Sequence, residues 1–248
     1  MLVSRFLLAR HGQTNWNAEG RIQGTLDTSV LTLNGVQQVS GLGYWLAAQS
    51  EELPLVDRTW CSPLMRARQS LAAVAGAAAA SGQPLPEHRI YDDLREIELH
   101  QWEGRLKEEI AASDGEAWTM WKGQPHLYET PGGAWPLLDL WSRSQANWDA
   151  LRKEPAGLTF VMAHGALGRC MLGTALGLPP ASFRDPVYDF VNAACVEIEW
   201  EEGEPAATRW RSRYPAASDW QSAEAAQERQ REIEERGGII LEGASGLF

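Results

Sequence analysis

Two short, largely apolar segments constrain this chain more than anything else in it. Val3–Ala9 runs straight into Arg10-His11-Gly12, and Leu158–Ala163 (LTFVMA) runs straight into His164-Gly165. An apolar run of this length with turn-forming residues after it reads as a strand buried on both faces, and such strands belong to parallel sheets covered by helices. In an open sheet of that kind, ligands bind beyond the carboxyl ends of the strands, where the strand order reverses. Two histidines delivered to that edge can share one cleft although they stand far apart along the chain.

The intervening sequence supplies the rest of an α/β pattern. Leu33, Val36, Val39, Leu42 and Leu46 recur at helical spacing behind Thr32 as a cap. Asp57–Cys61 reads as a second strand. Ser62-Pro63, a cap followed by proline at the first helical position, then opens the alanine-rich stretch Leu64–Ala80, which places Arg66 and Arg68 in its first turns. Leu94–Gly104 has no clean period and reads as a loop. Segment 105–135, with short helical pieces, several tryptophans and two prolines, reads as an insertion or lid rather than a core element. Leu137–Leu151 is an amphipathic helix, a further helix runs from about Leu167 to Leu176, and Cys195–Trp200 and Thr208–Ser212 are later strands suited to pair. The expected fold class is α/β, a three-layer α/β/α sandwich around a mostly parallel central sheet with a small helical lid. Residues 1–215 are expected to form one catalytic domain and 216–248 a charged helix and tail. In that tail Ser218-Asp219-Trp220-Gln221 fits a capping box, Glu224–Arg236 alternates charge and Gly237-Gly238 closes the helix. The plain reading of the tail is a solvent-facing helix, with a homodimer contact or a flap over the site as alternatives.

Composition narrows the function classes. The 33 acidic and 22 basic residues give a formal charge of −11, which argues against nucleic acid or an anionic membrane as partner. The opening MLVSRFLLARHG is too short to span a bilayer and lacks a small-residue cleavage site. Cys61, Cys170 and Cys195 show no metal-knuckle spacing, and reduced thiols in a cytoplasmic compartment are the simplest reading. No G-x-G-x-x-G follows a strand and no GKS or GKT occurs, so the usual nucleotide cradles are missing. No metal-ligand spacing appears either, and neither metal nor cofactor is expected.

The loop after His11 adds Asn17, Arg21, Gln23 and Gly24, and Arg66 stands at a helix start. Guanidinium groups, amide donors and helix N-termini converging on one place describe an anion site, with phosphate the natural ligand. Singly, each residue has an ordinary reading. A histidine beside glycine is most often a turn residue, Arg66 alone a surface ion pair, Glu96 alone a solvated carboxylate. Cys61 and Cys170 read as small buried apolar residues, and His88, His100 and His126 as structural. Their joint occurrence changes the weighting.

Four stretches in order, LLARHGQTNWNAEGRIQG, SPLMRARQS, LREIELHQWEG and VMAHGALGRCML, resemble the histidine phosphatase superfamily, with its phosphoglycerate-mutase-like fold, across about residues 3–200. WNAEGRIQGTLD, the lid tryptophans, LWSRSQANWDAL and FRDPVYDFVNAACVEIEW are similar to 2-carboxy-D-arabinitol-1-phosphate phosphatase-like members. The resemblance implies that His11 is the nucleophile and becomes phosphohistidine. Arg10, Arg66 and His164 would hold the phosphoryl oxygens, assisted by Asn17, Gln23, Gly24 and the Gly165 N–H. Glu96 would protonate the leaving oxygen, with Glu98 and Glu103 as neighbouring alternatives. Phosphoryl transfer depends on alignment and charge neutralisation, which a cation cluster can supply without metal. Nearby guanidinium charge also keeps a nucleophilic imidazole neutral.

Two departures from the family pattern bear on substrate. Pro131-Gly132-Gly133 is followed by Ala134-Trp135-Pro136 where Glu-Ser is common, and His100 stands where glycine is common. The expected activity is hydrolysis of a small phosphorylated metabolite, a sugar or sugar-acid phosphate. A cofactor-dependent phosphoglycerate mutase is the rival. It is disfavoured because Arg105, Lys107 and Lys122 face Glu108, Glu109, Asp114, Glu116 and Glu129 in the 105–135 segment, a poor composition for a cationic lid. A non-catalytic binding or regulatory member is the second rival, disfavoured because His11, Arg66, Glu96 and His164 are all present.

Overall fold

The computed structural model describes residues 2–185, 190–216, 218–219 and 221–235. Seven strands form one sheet: β1 (Val3–Arg10), β2 (Val56–Cys61), β3 (His88–Ile90), β4 (Leu158–Ala163), β5 (Cys195–Glu201), β6 (Arg209–Tyr214) and β7 (Gln221–Ser222), in the order β3-β2-β4-β1-β5-β6-β7. The helices are α1 (Asn15–Glu19), α2 (Leu33–Ala47), α3 (Met65–Ala80), α4 (Lys107–Ser113), α5 (Gly115–Gly123), α6 (Pro136–Leu151), α7 (Gly165–Ala175) and α8 (Ala223–Glu235).

Strand period places the layers. In β1, Leu7 and Ala9 join Phe160 and Met162 of β4 against Val39, Leu42, Leu71 and Val74 of α2 and α3. Phe6 and Leu8 point the other way and join Val161 and Ala163 against Leu140 and Trp148 of α6 and Leu167 and Met171 of α7. Both faces of the central strands are therefore covered, as their apolar composition predicts. β3, β2, β4 and β1 are parallel, whereas β5, β6 and β7 pair antiparallel, so the sheet is mixed. Between β5 and β6 the antiparallel pairing follows from chain length: the few residues joining them can close a hairpin but cannot cross over. The site-bearing strands β1 and β4 lie side by side in the parallel part.

Local starts differ from expectation in instructive ways. Thr32 caps α2, its hydroxyl accepting from Gly35 N at 3.0 Å. Ser62 does not cap α3, which begins at Met65; Asp27 accepts from Met65 N instead, and Ser62 is committed elsewhere. α7 begins at Gly165, directly after the histidine. The strands β3 and β7 hold three and two residues, too few to leave a period-two pattern in the sequence. Ser222 accepts from Ala225 N at 3.1 Å at the start of α8, while Ser218, expected as a cap, accepts from Ser212 N at 3.0 Å. Trp220 of the expected capping box and Gly237-Gly238 lie outside the described residues.

Segment 105–135 is helical as its spacing predicts, yet part of it is core, while Trp118 is half-buried and Trp135 exposed. Ile110, Trp121 and Tyr128 join Trp102 in the same apolar cluster as α6 and α7. Trp102 stacks on Tyr128 with centroids 4.8 Å apart and planes inclined by 14°. Among the described residues, no helix is long and apolar enough to cross a membrane.

Candidate active site

Arg10 and Ala163 are register partners at the ends of β1 and β4, so the residues that follow emerge together. His11 N donates to Ala163 O at 3.0 Å, and the His11 and His164 ring centroids stand 5.4 Å apart with planes at 62°. Both residues are buried, 2% and 0% exposed. His11 Nδ1 lies 2.7 Å from the Gly12 carbonyl oxygen. A carbonyl only accepts, so Nδ1 carries the proton and Nε2 keeps its lone pair. His164 Nε2 is 2.6 Å from the Ser62 hydroxyl, while its Nδ1 is buried without a hydrogen-bond partner. An orphaned polar atom of that kind is a place for a ligand oxygen. Burial pushes both imidazoles well below the ordinary histidine value, and the positive charges of Arg66 and Arg10 add to the effect, for His164 together with His11 itself. Both rings are neutral at pH 7.

Two guanidinium groups frame the pair. Arg66, in the first turn of α3 and 1% exposed, donates to Leu26 O at 2.9 Å and to Gly24 O at 2.7 Å. Burial draws it down to about 10, against the upward pull of Glu96, Asp27 and Glu103, so it stays charged at neutral pH. Arg10 is buried and donates to Phe190 O. The Arg66-bound loop needs glycine at position 24. Its φ is +54°, and a Cβ there would stand 1.9 Å from Glu103 Oε1. Gln23 is buried, its Oε1 accepting from the Ser29 hydroxyl at 2.7 Å. Asn17 Oδ1 accepts from Thr14 N at 3.1 Å and from Asn192 Nδ2 at 3.2 Å, which leaves the Asn17 amide group as its donor end.

Burial and bonding separate the three acids. Glu96 is 8% exposed and sits on the N-terminus of α7: its Oε1 accepts from Leu167 N at 2.9 Å and its Oε2 from Ala166 N at 3.1 Å. Arg143 fixes the backbone beneath it by donating to Asp93 O at 2.8 Å and Glu96 O at 3.0 Å. Glu98 turns outward toward His100. Glu103 ties two loops together, accepting from Thr25 N at 2.9 Å and Leu99 N at 3.0 Å.

Arg10, His11, Asn17, Gln23, Gly24, Arg66 and Glu96 line one cavity of about 50 Å³, and Arg21, Trp121 and Phe183 add to its wall. His164 and Gly165 do not line it; His164 stands against His11 and Gly165 opens α7 beside Ala166, which does line it. His88, His100 and His126 are not on this wall. Sequence reading missed Ser62, Arg143 and Asn192. Asn192 donates to His11 O at 3.3 Å as well as to Asn17. Nothing in local spacing marks these three, because each acts on a partner more than 40 residues away. The thiols of Cys61, Cys170 and Cys195 are buried and pushed upward by that burial, Cys61 to about 12.

The parallel strand ends of this α/β sandwich thus hold two neutral imidazoles beside two guanidinium groups, a set of groups with the chemistry to hold an oxyanion. The chain belongs to the histidine phosphatase superfamily (branch 1), whose pattern matches residues 6–213. It is 35% identical over 201 residues to a probable 2-carboxy-D-arabinitol-1-phosphatase of Arabidopsis thaliana, covering 77% of this chain and 39% of that protein. A glucosyl-3-phosphoglycerate phosphatase of Mycolicibacterium vanbaalenii is 30% identical, with 85% and 93% covered. Among solved structures, YhfR of Bacillus stearothermophilus superposes with a TM-score of 0.67 at 26% identity, covering 82% of this chain and 94% of that one. The chain spans about two-fifths of the length of the plant proteins it matches.

Proposed function

We propose that the protein is a metal-independent phosphomonoesterase that works through a phosphohistidine on His11. The observation that carries this reading is the His11 ring itself: Nδ1 tied to Gly12 O, Nε2 unprotonated, the whole imidazole buried beside Arg66. Nε2 attacks phosphorus and the bond to the ester oxygen breaks. Glu96, on the cavity wall, gives its proton to the departing oxygen. Arg10, Arg66 and His164 Nδ1 hold the phosphoryl oxygens, with Asn17, Gln23, Gly24 and the Gly165 N–H assisting, and this preorganised charge lowers the barrier. Water then attacks the phosphohistidine, Glu96 takes its proton, and phosphate leaves with His11 restored.

The substrate is a small phosphorylated metabolite, a sugar or sugar-acid phosphate. The names of the plant and mycolicibacterial relatives support this class. Residues 1–215 act as one catalytic unit, with 216–248 appended, and the buried thiols suit the cytoplasm. A mutase reading draws on a 29% identical relative from Yersinia enterocolitica, named a probable phosphoglycerate mutase.

The test is phosphate release from a panel of phosphorylated metabolites in EDTA, without a bisphosphate primer, for wild type and His11→Ala. Release by the wild type, its loss in a folded variant, and trapping of an acid-labile phosphoenzyme are expected. Dependence on added divalent metal, or undiminished release by His11→Ala, refutes the reading. Isomerisation that requires a primer points to the mutase.

A further inference from the structure

Ser62-Pro63 reads in the sequence as a helix start, yet α3 begins at Met65 and the Ser62 hydroxyl is turned to His164. β2 and β4 run parallel with Cys61 opposite Met162, and Ser62 N donates to Met162 O at 3.0 Å. That bond anchors Ser62 at the edge of the sheet where His164 emerges. Both residues are fully buried. Pro63 has no N–H, and the next one along, Leu64 N, donates to Ser62 Oγ at 3.3 Å. Among the described residues, the hydroxyl has one other partner, His164 Nε2 at 2.6 Å.

Counting hydrogens in this buried group settles which nitrogen of the neutral ring carries one. A hydroxyl has a single hydrogen and two lone pairs, and Leu64 N–H occupies one lone pair. With the ring hydrogen on Nε2, that N–H would occupy the other. The Ser62 O–H would then be a buried donor without an acceptor, and His164 Nδ1 a buried acceptor without a donor. With the ring hydrogen on Nδ1, Ser62 donates to Nε2 and only the Nδ1–H is left unmatched. One buried orphan costs less than two. The orphan is moreover a donor, on a ring that already feels the charges of Arg66 and Arg10, which suits an anionic oxygen. His11, with its centroid 5.4 Å away, also carries its hydrogen on Nδ1, but gives it to Gly12 O and keeps the Nε2 lone pair free. The two rings therefore offer opposite ends, a lone pair from His11 and a hydrogen from His164.

We propose that Ser62 is a positioning residue that sets the tautomer of His164: by donating to Nε2 it keeps the ring hydrogen on Nδ1, the atom left to donate to an oxyanion. The identity of that oxyanion rests on the phosphatase reading, whereas the tautomer is a property of the free protein and is measured there. The test is heteronuclear NMR of the full chain with isotopically labelled histidine, in phosphate-free buffer at pH 8, with the His164 ring assigned by correlation to its own backbone. Wild type is expected to show Nδ1 as the protonated, pyrrole-type nitrogen and Nε2 as the pyridine-type one. Ser62→Ala should lose that bias, with the Nε2–H tautomer appearing. The same variant should bind inorganic phosphate about tenfold more weakly by calorimetry, the size of one hydrogen bond to a charged group. Ser62→Thr, which keeps the hydroxyl, should restore both. A residue that only packs would lower the melting temperature without moving the tautomer. Hydrogen on Nε2 in the wild type overturns the proposal whatever the variants do. So does a tautomer indifferent to Ser62→Ala, or a phosphate affinity that stays the same once the tautomer has shifted. A wild type with hydrogen on Nδ1 that neither binds phosphate nor releases it from any ester refutes the phosphatase reading and leaves Ser62 as the group that sets the tautomer.

Discussion

Lowering the pH should destabilise this protein through His11 and His164 in particular. Both rings are buried, and burial, reinforced by Arg66 and Arg10, holds their native values well below 6.5, whereas the unfolded chain takes up protons at about 6.5. Below that point the unfolded state binds more protons than the native one, so stability is present above pH 6.5 and lost as pH falls. Each ring that stays neutral costs about 1.4 kcal/mol per pH unit well below 6.5. Integrated from pH 7.5 to 5.5, the two together remove about 2.7 kcal/mol, a large part of an ordinary domain's 5–15 kcal/mol. The assay is urea unfolding at both pH values, in buffers free of phosphate, for wild type and His11→Asn/His164→Gln. The acidic surface, with its own response to pH, is common to both proteins and cancels in the difference. His126, also shifted downward by burial, cancels likewise. The wild type should lose about 2.7 kcal/mol more than the variant over this range. Equal losses would refute the claim that both imidazoles are held neutral.

Three further outcomes follow from particular contacts. Gly24→Ala forces a Cβ into Glu103 at a positive φ, and should lower stability by about 2 kcal/mol or more and weaken phosphate binding, read by thermal melting and calorimetry. Glu96→Gln should reduce kcat by about 10²–10⁴-fold while phosphate affinity changes far less; an unaltered kcat would remove Glu96 from proton transfer. Ser62→Ala strips His164 Nε2 of its buried partner, which should cost about 1–3 kcal/mol of stability, measured by urea unfolding.

The ion pair of Arg105 with Asp114 shows why counting residues along a segment is a poor guide to potential in a cleft. Arg105, one of the three basic residues of the 105–135 segment, is consumed internally by Asp114, while Lys122 lies over the Trp118 ring, 6.0 Å from its centroid. Side-chain direction on short helices, set by where Trp102, Ile110 and Trp121 bury, decides which face each charge shows.

Sequence alone determined the strand–loop–helix grammar, because it is local. Val3–Ala9 and Leu158–Ala163 declare themselves by their continuous apolar composition, and the His-Gly pairs follow by chain connectivity. Resemblance then ranked Glu96 over Glu98 and Glu103, and the fold puts only Glu96 on the cavity wall. What remained for tertiary structure was every contact between stretches distant in the chain. Ser62 turned from a helix cap into the partner of His164; Asp27 took over the cap; Asn192 and Arg143 came to brace His11 and Glu96. Hydrogen bonds of that sort depend on which loops the sheet order brings together. A period of 2 or 3.6 residues carries no record of such meetings, so they become visible only once the chain has closed on itself.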